Sequence, residues 1–178
     1  IVSEGTDIKV NVKGRKWINC DGKANFPDGE IFTSPVEDGV NGYITFSFPG
    51  IYAGKEVEGI KLIVKDGKVV EATAKKGEDL LKSLISIDEG ASSFGEVAIG
   101  TNYGIKNFTK NMLFDEKIGG TVHMAIGDSM EEAGGKNKSS IHWDMLCDMR
   151  NCGKIYADGE LFYENGKFID EILIKHNL

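Results

Sequence analysis

The chain has 178 residues, 40% hydrophobic and 28% charged, which fits one domain with a real core. Its net charge of −7 argues against nucleic acid as a partner, since that binding needs clustered Lys and Arg. No apolar run approaches the roughly 20 residues of a membrane helix, and no signal peptide is visible. Three cysteines, Cys20, Cys147 and Cys152, stand at irregular spacing. They point to reduced thiols and a cytoplasmic setting rather than a disulfide framework. Cys147 and Cys152 lack zinc-ribbon spacing and a second pair. The first residue is Ile1 rather than Met, which reads as processing or excision from something longer.

Along the chain, Thr6 to Lys13 alternates Ile8, Val10 and Val12 with polar residues and predicts a half-exposed strand. A long irregular region then opens at Asn25-Phe26-Pro27-Asp28-Gly29-Glu30, where turn chemistry holds the backbone before Glu30. Tyr43 to Phe48 reads as a strand. Gly59 to Val64 and Lys68 to Ala74 read as a hairpin about Asp66-Gly67. Gly77 to Ile87 carries Leu80, Leu81, Leu84 and Ile85 at helical spacing and predicts an amphipathic helix with a core-facing stripe.

Glu96 precedes a short apolar strand, where a charged side chain is costly unless paired or metal-bound. His123 lies in another apolar run, Lys117 to Gly127, where an ordinary core histidine is the simplest account. Ile141-His142-Trp143-Asp144 reads as a buried strand. Residues at i and i+2 share a face, so His142 and Asp144 project together and Trp143 faces away. That pair suits a divalent cation such as Zn²⁺, Co²⁺ or Mn²⁺, or else a plain hydrogen bond between an imidazole and an acid. Strands Lys154 to Ala157 and Gly159 to Tyr163 turn at Asp158-Gly159. A second turn at Asn165-Gly166 leads to the run Phe168 to Ile174. His176 takes no role.

Glu30, Glu96, His123, His142 and Asp144 thus offer three carboxylates and two imidazoles on short elements. Such a set suits two divalent ions about 3.5–4 Å apart sharing one carboxylate. Spacing alone does not bring the segments together.

Four stretches occur in order: Phe26-Pro-Asp-Gly-Glu30-Ile-Phe-Thr-Ser-Pro35, Phe94-Gly-Glu96-Val-Ala, Phe114-Asp-Glu-Lys-Ile-Gly-Gly-Thr-Val-His123 and Gly134-Gly-Lys-Asn-Lys-Ser-Ser-Ile-His142-Trp-Asp144. Together they resemble the signature segments of the M29 metallopeptidases, the thermophilic-aminopeptidase family, from about Asn11 to the end of the chain. The resemblance implies a dimeric dinuclear metalloenzyme that removes N-terminal residues from peptides. It implies Glu30, Glu96, His123, His142 and Asp144 as metal ligands, with Glu96 as the bridge. It also makes Glu96 and Glu116 candidate catalytic carboxylates; a turn contact or ion pair would account for Glu116 equally well. The expected fold is α+β, mainly antiparallel β with one clear amphipathic helix. The expected organisation is a single metal-binding domain, the C-terminal half of a longer chain whose preceding α/β domain is absent.

One departure from the family pattern stands out. Where the family usually has Ser-Tyr-Pro-Glu-Thr-Gly-Gly, this chain has Ser129-Met130-Glu131-Glu132-Ala133-Gly134-Gly135. A thioether cannot donate the hydrogen bond a phenol offers to an oxyanion. A non-catalytic metal-binding domain is therefore the rival reading. A β-rich binding module without metal is a third.

Overall fold

The computed structural model describes residues 1–171. In chain order the strands are β1 (Val2–Ser3), β2 (Thr6–Val10), β3 (Ile18–Cys20), β4 (Glu30–Thr33), β5 (Val40–Thr45), β6 (Gly50–Tyr52), β7 (Lys55–Val57), β8 (Lys61–Lys65) and β9 (Lys68–Thr73). Helix α1 (Glu78–Ile85) leads to β10 (Phe94–Gly100), and the short α2 (Met112–Asp115) to β11 (Thr121–Gly127). Then follow β12 (His142–Asp148), β13 (Lys154–Ala157), β14 (Glu160–Glu164) and β15 (Lys167–Phe168). The end of the predicted run Phe168 to Ile174, and His176, lie outside the described residues.

One sheet runs β15-β14-β13-β1-β2-β5-β8-β9 and a second runs β12-β11-β10-β4-β3, while β6 and β7 form a separate ribbon. The paired strands of both large sheets are antiparallel. The architecture is therefore mainly antiparallel β with one substantial helix, as the sequence predicts. Ile8, Ile44 and Leu62 of the first sheet meet Val122, Met124, Ile126, Trp143 and Met145 of the second in a shared core. Leu81 and Leu84 of α1 enter the same core. The β8–β9 turn places both Asp66 (φ 48°) and Gly67 (φ 78°) in the left-handed region, the requirement of a tight two-residue hairpin.

Three sequence expectations shift. The irregular region after Asn25 contains β4, a short strand held by ladders on both sides, to β10 and β3. The strand expected over Tyr43 to Phe48 is β5, which ends at Thr45. Beyond it Ser47 N–H donates to the Leu146 carbonyl at 3.0 Å, so the chain leaves its own sheet for β12. Glu96 lies inside β10 rather than before a strand, after a register shift between Phe94 and Glu96.

The second sheet positions the candidate residues through its register. Glu96 faces Ala125 across the β10–β11 ladder, and Ala125 faces Asp144 across β11–β12. Ala98 faces His123, Gly127 faces His142, and Gly100 faces Glu30. Cross-strand partners share a face, as do residues two apart. All five candidates therefore lie on the face opposite the shared core, each beside a glycine or alanine that leaves room for it. Both faces of β10 and β11 are covered, so every residue in these strands is buried. That burial explains their apolar, weakly alternating sequences.

Gly127 is constrained both in space and in backbone conformation. Its φ is 99°, and a Cβ there would lie 2.1 Å from the Ile141 carbonyl oxygen. Gly127→Ala should displace the start of β12 and cost about 1–3 kcal/mol, read as a lower urea midpoint. An unchanged midpoint would contradict this account of the register.

Candidate metal centre

Glu30, Glu96, His123 and Asp144 are buried, and their side chains converge. His123 Nε2 lies 3.1 Å from Glu30 Oε2 and 3.3 Å from Glu96 Oε1. Glu96 Oε2 lies 3.3 Å from His142 Nε2, which is 3.4 Å from Asp144 Oδ2. The two oxygens of Glu96 thus face different imidazoles. The result is two trios, Glu30–Glu96–His123 and Glu96–His142–Asp144, with Glu96 common to both. A further trio joins Glu116 to His123 and Asp144. All five sequence-predicted ligand positions and Glu116 come together. A cavity of about 320 Å³ opens onto Glu30, Glu96, Glu116, His142 and Asp144, with Phe32 and Met130 on its wall.

His142 has a defined orientation. Its Nδ1 lies 2.8 Å from the Asp128 carbonyl oxygen, which can only accept, so Nδ1 carries the hydrogen. In the neutral ring Nε2 then keeps its lone pair toward Glu96 and Asp144. Trp143, between His142 and Asp144 in sequence, points the opposite way and packs edge-on against Tyr52.

Sequence reading missed Lys117. It is fully buried, and Nζ donates to Glu30 Oε1 at 2.7 Å and to Glu116 Oε1. The only signal was its place beside Glu116, in the turn that also carries Asp115. That turn is well anchored. Asp115 accepts hydrogen bonds from the Thr109 N–H at 2.7 Å and the Thr109 hydroxyl at 2.8 Å. The Lys117 carbonyl accepts from the Asn102 N–H at 2.9 Å. The cysteines are all free, and Cys147 is buried while Cys152 is exposed. Cys20 borders the cavity beside Glu30, and burial pushes its thiol up to about 11.

Mutual neutralisation governs the titration of the cluster. Burial disfavours charge on Glu30 and Glu96, but His123 with Lys117 beside Glu30, and the two imidazoles beside Glu96, outweigh it and lower both carboxyls. Burial likewise opposes charge on His123 and His142. Glu30 and Glu96 nonetheless raise His123 well above its usual value, and Asp144 and Glu96 raise His142 to about 11. Glu116 behaves oppositely: burial, then the Asp144 charge, raise it to about 7.

Residues 1–168 match the family described as thermophilic metalloprotease (M29). The chain belongs to the M29 family. The match begins at residue 1, ahead of the Asn11 from which the signature segments are legible. Aminopeptidase AmpS of Bacillus subtilis is 33% identical over 93% of this M29 chain and 48% of its own length. Aminopeptidase PepS of Streptococcus thermophilus is 33% identical over 93% and 47%. The chain thus spans about half the length of the curated relatives it matches. The solved structure of AmpT from Thermus thermophilus superposes with a TM-score of 0.80 at 30% identity, over 93% of this chain and 48% of that one. A 2,5-dihydroxypyridine dioxygenase from Pseudomonas putida shares the fold at a TM-score of 0.58 and 20% identity.

Membership of a metalloprotease family implies a divalent metal cofactor, and the M29 chain's own residues fit one. Glu30 Oε2, His123 Nε2 and Asp144 Oδ1 are buried without a hydrogen-bond partner. Buried polar atoms are seldom left so, and each of these three residues belongs to a trio of possible metal ligands in the cluster. Carboxylate oxygens with imidazole nitrogens are the donor set of a borderline divalent ion.

The same electrostatics predict how a chelator-treated protein responds to pH. His142 stays protonated to about 11 when folded, against a usual 6.5. Its contribution to stability is complete below pH 6.5 and is lost as pH rises toward 11. Glu116 keeps its proton to about 7 against a usual 4.5, so its contribution fades as pH rises through that window. The urea midpoint should therefore fall as pH rises above neutral, and fall less in His142→Asn. An equal fall in both proteins would contradict the assignment.

Proposed function

We propose that this chain carries a dinuclear metal site that hydrolyses the N-terminal peptide bond of peptides. The observation that carries the reading is Glu96, whose two oxygens face two imidazoles, each flanked by a further carboxylate. In this reading Glu30 and His123 would hold one cation, His142 and Asp144 would hold the other, and Glu96 would serve both. Zn²⁺, Co²⁺ or Mn²⁺ suits these donors. When bound, such a pair supplies Lewis acidity toward a carbonyl and an anchor for a free amine.

The chain's own residues then divide the work. Glu96 is committed on both oxygens, which leaves Glu116 as the proton carrier. Lys117 holds one oxygen of Glu116, and the side chain borders the cavity. A carboxyl raised to about 7 can take a proton from an attacking water and return it to the leaving amine near neutral pH. An adjacent cation would lower that value, which favours the base form at the start of the cycle. Phe32 and Met130 give the cavity an apolar wall against which a substrate side chain can rest.

A second reading, a non-catalytic metal-binding domain, draws on Met130. It stands at the cavity where the family pattern has a tyrosine, and it offers no hydroxyl donor.

In the full-length protein, Glu116→Gln should lower kcat on aminoacyl anilides by about 10²–10⁴-fold with metal content unchanged. Glu96→Gln should lower both activity and metal content. Unchanged turnover in a folded Glu96→Gln protein would defeat the peptidase reading. A wild-type protein that holds metal but turns over nothing, with turnover appearing in Met130→Tyr, would favour the second reading.

A further inference from the structure

Lys117 divides the oxygens of Glu30. Its ammonium takes Oε1 at 2.7 Å, while Oε2 makes no hydrogen bond and faces His123 Nε2 at 3.1 Å. The terminal torsion of a glutamate is broad, so a free carboxylate can turn to present either oxygen or both. Lys117 removes that freedom. The lysine is itself fixed, because its carbonyl accepts from Asn102 N–H and its own N–H donates to the Phe114 carbonyl at 3.2 Å. Its second bond, to Glu116, draws that carboxylate to the same side of the cavity.

The other half of the cluster is built differently. Among the described residues, no lysine or arginine bonds Glu96 or Asp144. The two sides of Glu96 are therefore unequal, one tethered through an ammonium and the other through the Asp128 carbonyl that holds His142.

Resting on the two-cation reading above, we propose that Lys117 is a positioning residue that holds Glu30 as a one-oxygen ligand and so sets cation affinity on the Glu30–His123 side separately from the His142–Asp144 side. A competing effect has the opposite sign. The ammonium repels cations, so as a bare charge it would weaken binding, and its removal would strengthen it. Loss of positioning weakens binding, and on one side only.

The test titrates Zn²⁺ by calorimetry into the chelator-treated full chain, with Co²⁺ absorption in the visible as a second readout. Wild type should take up two ions. Lys117→Met should lose affinity for one of them by about 10–100-fold, the usual effect of removing a group that orients a ligand, and keep the other. Two ions bound with unchanged or higher affinity, or equal losses at both, would overturn the inference. A wild-type chain that binds fewer than two ions would overturn the two-cation reading instead.

Leaving two buried carboxylates unmatched can unfold a protein. The double variant Lys117→Met/Glu116→Gln leaves only one unmatched and is read by the same criteria. Glu116→Gln alone keeps the Lys117–Glu30 bond and should keep both ions; loss of one there would also overturn the inference.

Discussion

Three carboxylates on one buried sheet face, with Glu116 beside them, repel each other and lose the water that would screen them. Glu30, Glu96 and Asp144 are each at most 9% exposed, and Glu116 borders the same cavity. Everything around them answers this constraint. Lys117 supplies one positive charge without solvent exposure. His123 and His142 supply two more when protonated, which their raised affinity for protons favours. Protons on the imidazoles, or the proposed cations, would answer the same excess of negative charge. With protons, the positive charges fall one short of four ionised carboxylates. In the proposed two-cation state, with neutral imidazoles, they would exceed them by one.

Geometry follows from register, set locally by the left-handed Gly127 and the irregularity before Glu96. Antiparallel pairing of β10, β11 and β12 alternates faces, so the apolar residues of these strands supply the shared core while the polar ones meet behind it. Ala98, Ala125, Gly100 and Gly127 stand across from the large functional side chains and leave space between the strands. Trp143 ties the arrangement to the core, since the residues on either side of it in sequence are His142 and Asp144. A slip of one residue in β12 would bury the imidazole in the core and turn the indole into the site.

Much of this was legible in the sequence. The shared face of His142 and Asp144 follows from a period of two, and the Asp66-Gly67 hairpin and the α1 stripe follow from turn chemistry and helical spacing. What was not legible has physical causes. β4 is short and flanked by loops, and it is defined by long-range ladders to β3 and β10. The extent of β10 was obscured because a charged Glu96 sits inside it, tolerated only by partners from other strands. Lys117 looked like any surface lysine, because its burial depends on Glu30, far away in sequence. The convergence of five ligand candidates is a property of sheet order, β12-β11-β10-β4, which no local pattern encodes.

The family places this chain among metalloproteases, and the relatives it matches extend to about twice its span. The claim on which the account depends is local: two cations held on either side of one carboxylate. Anomalous diffraction at the zinc edge, from crystals of the protein equilibrated with Zn²⁺ at neutral pH, tests it most directly. The account predicts two peaks flanking Glu96, one beside Glu30 and His123 and one beside His142 and Asp144. A single peak elsewhere, or none within reach of Glu96, would contradict it.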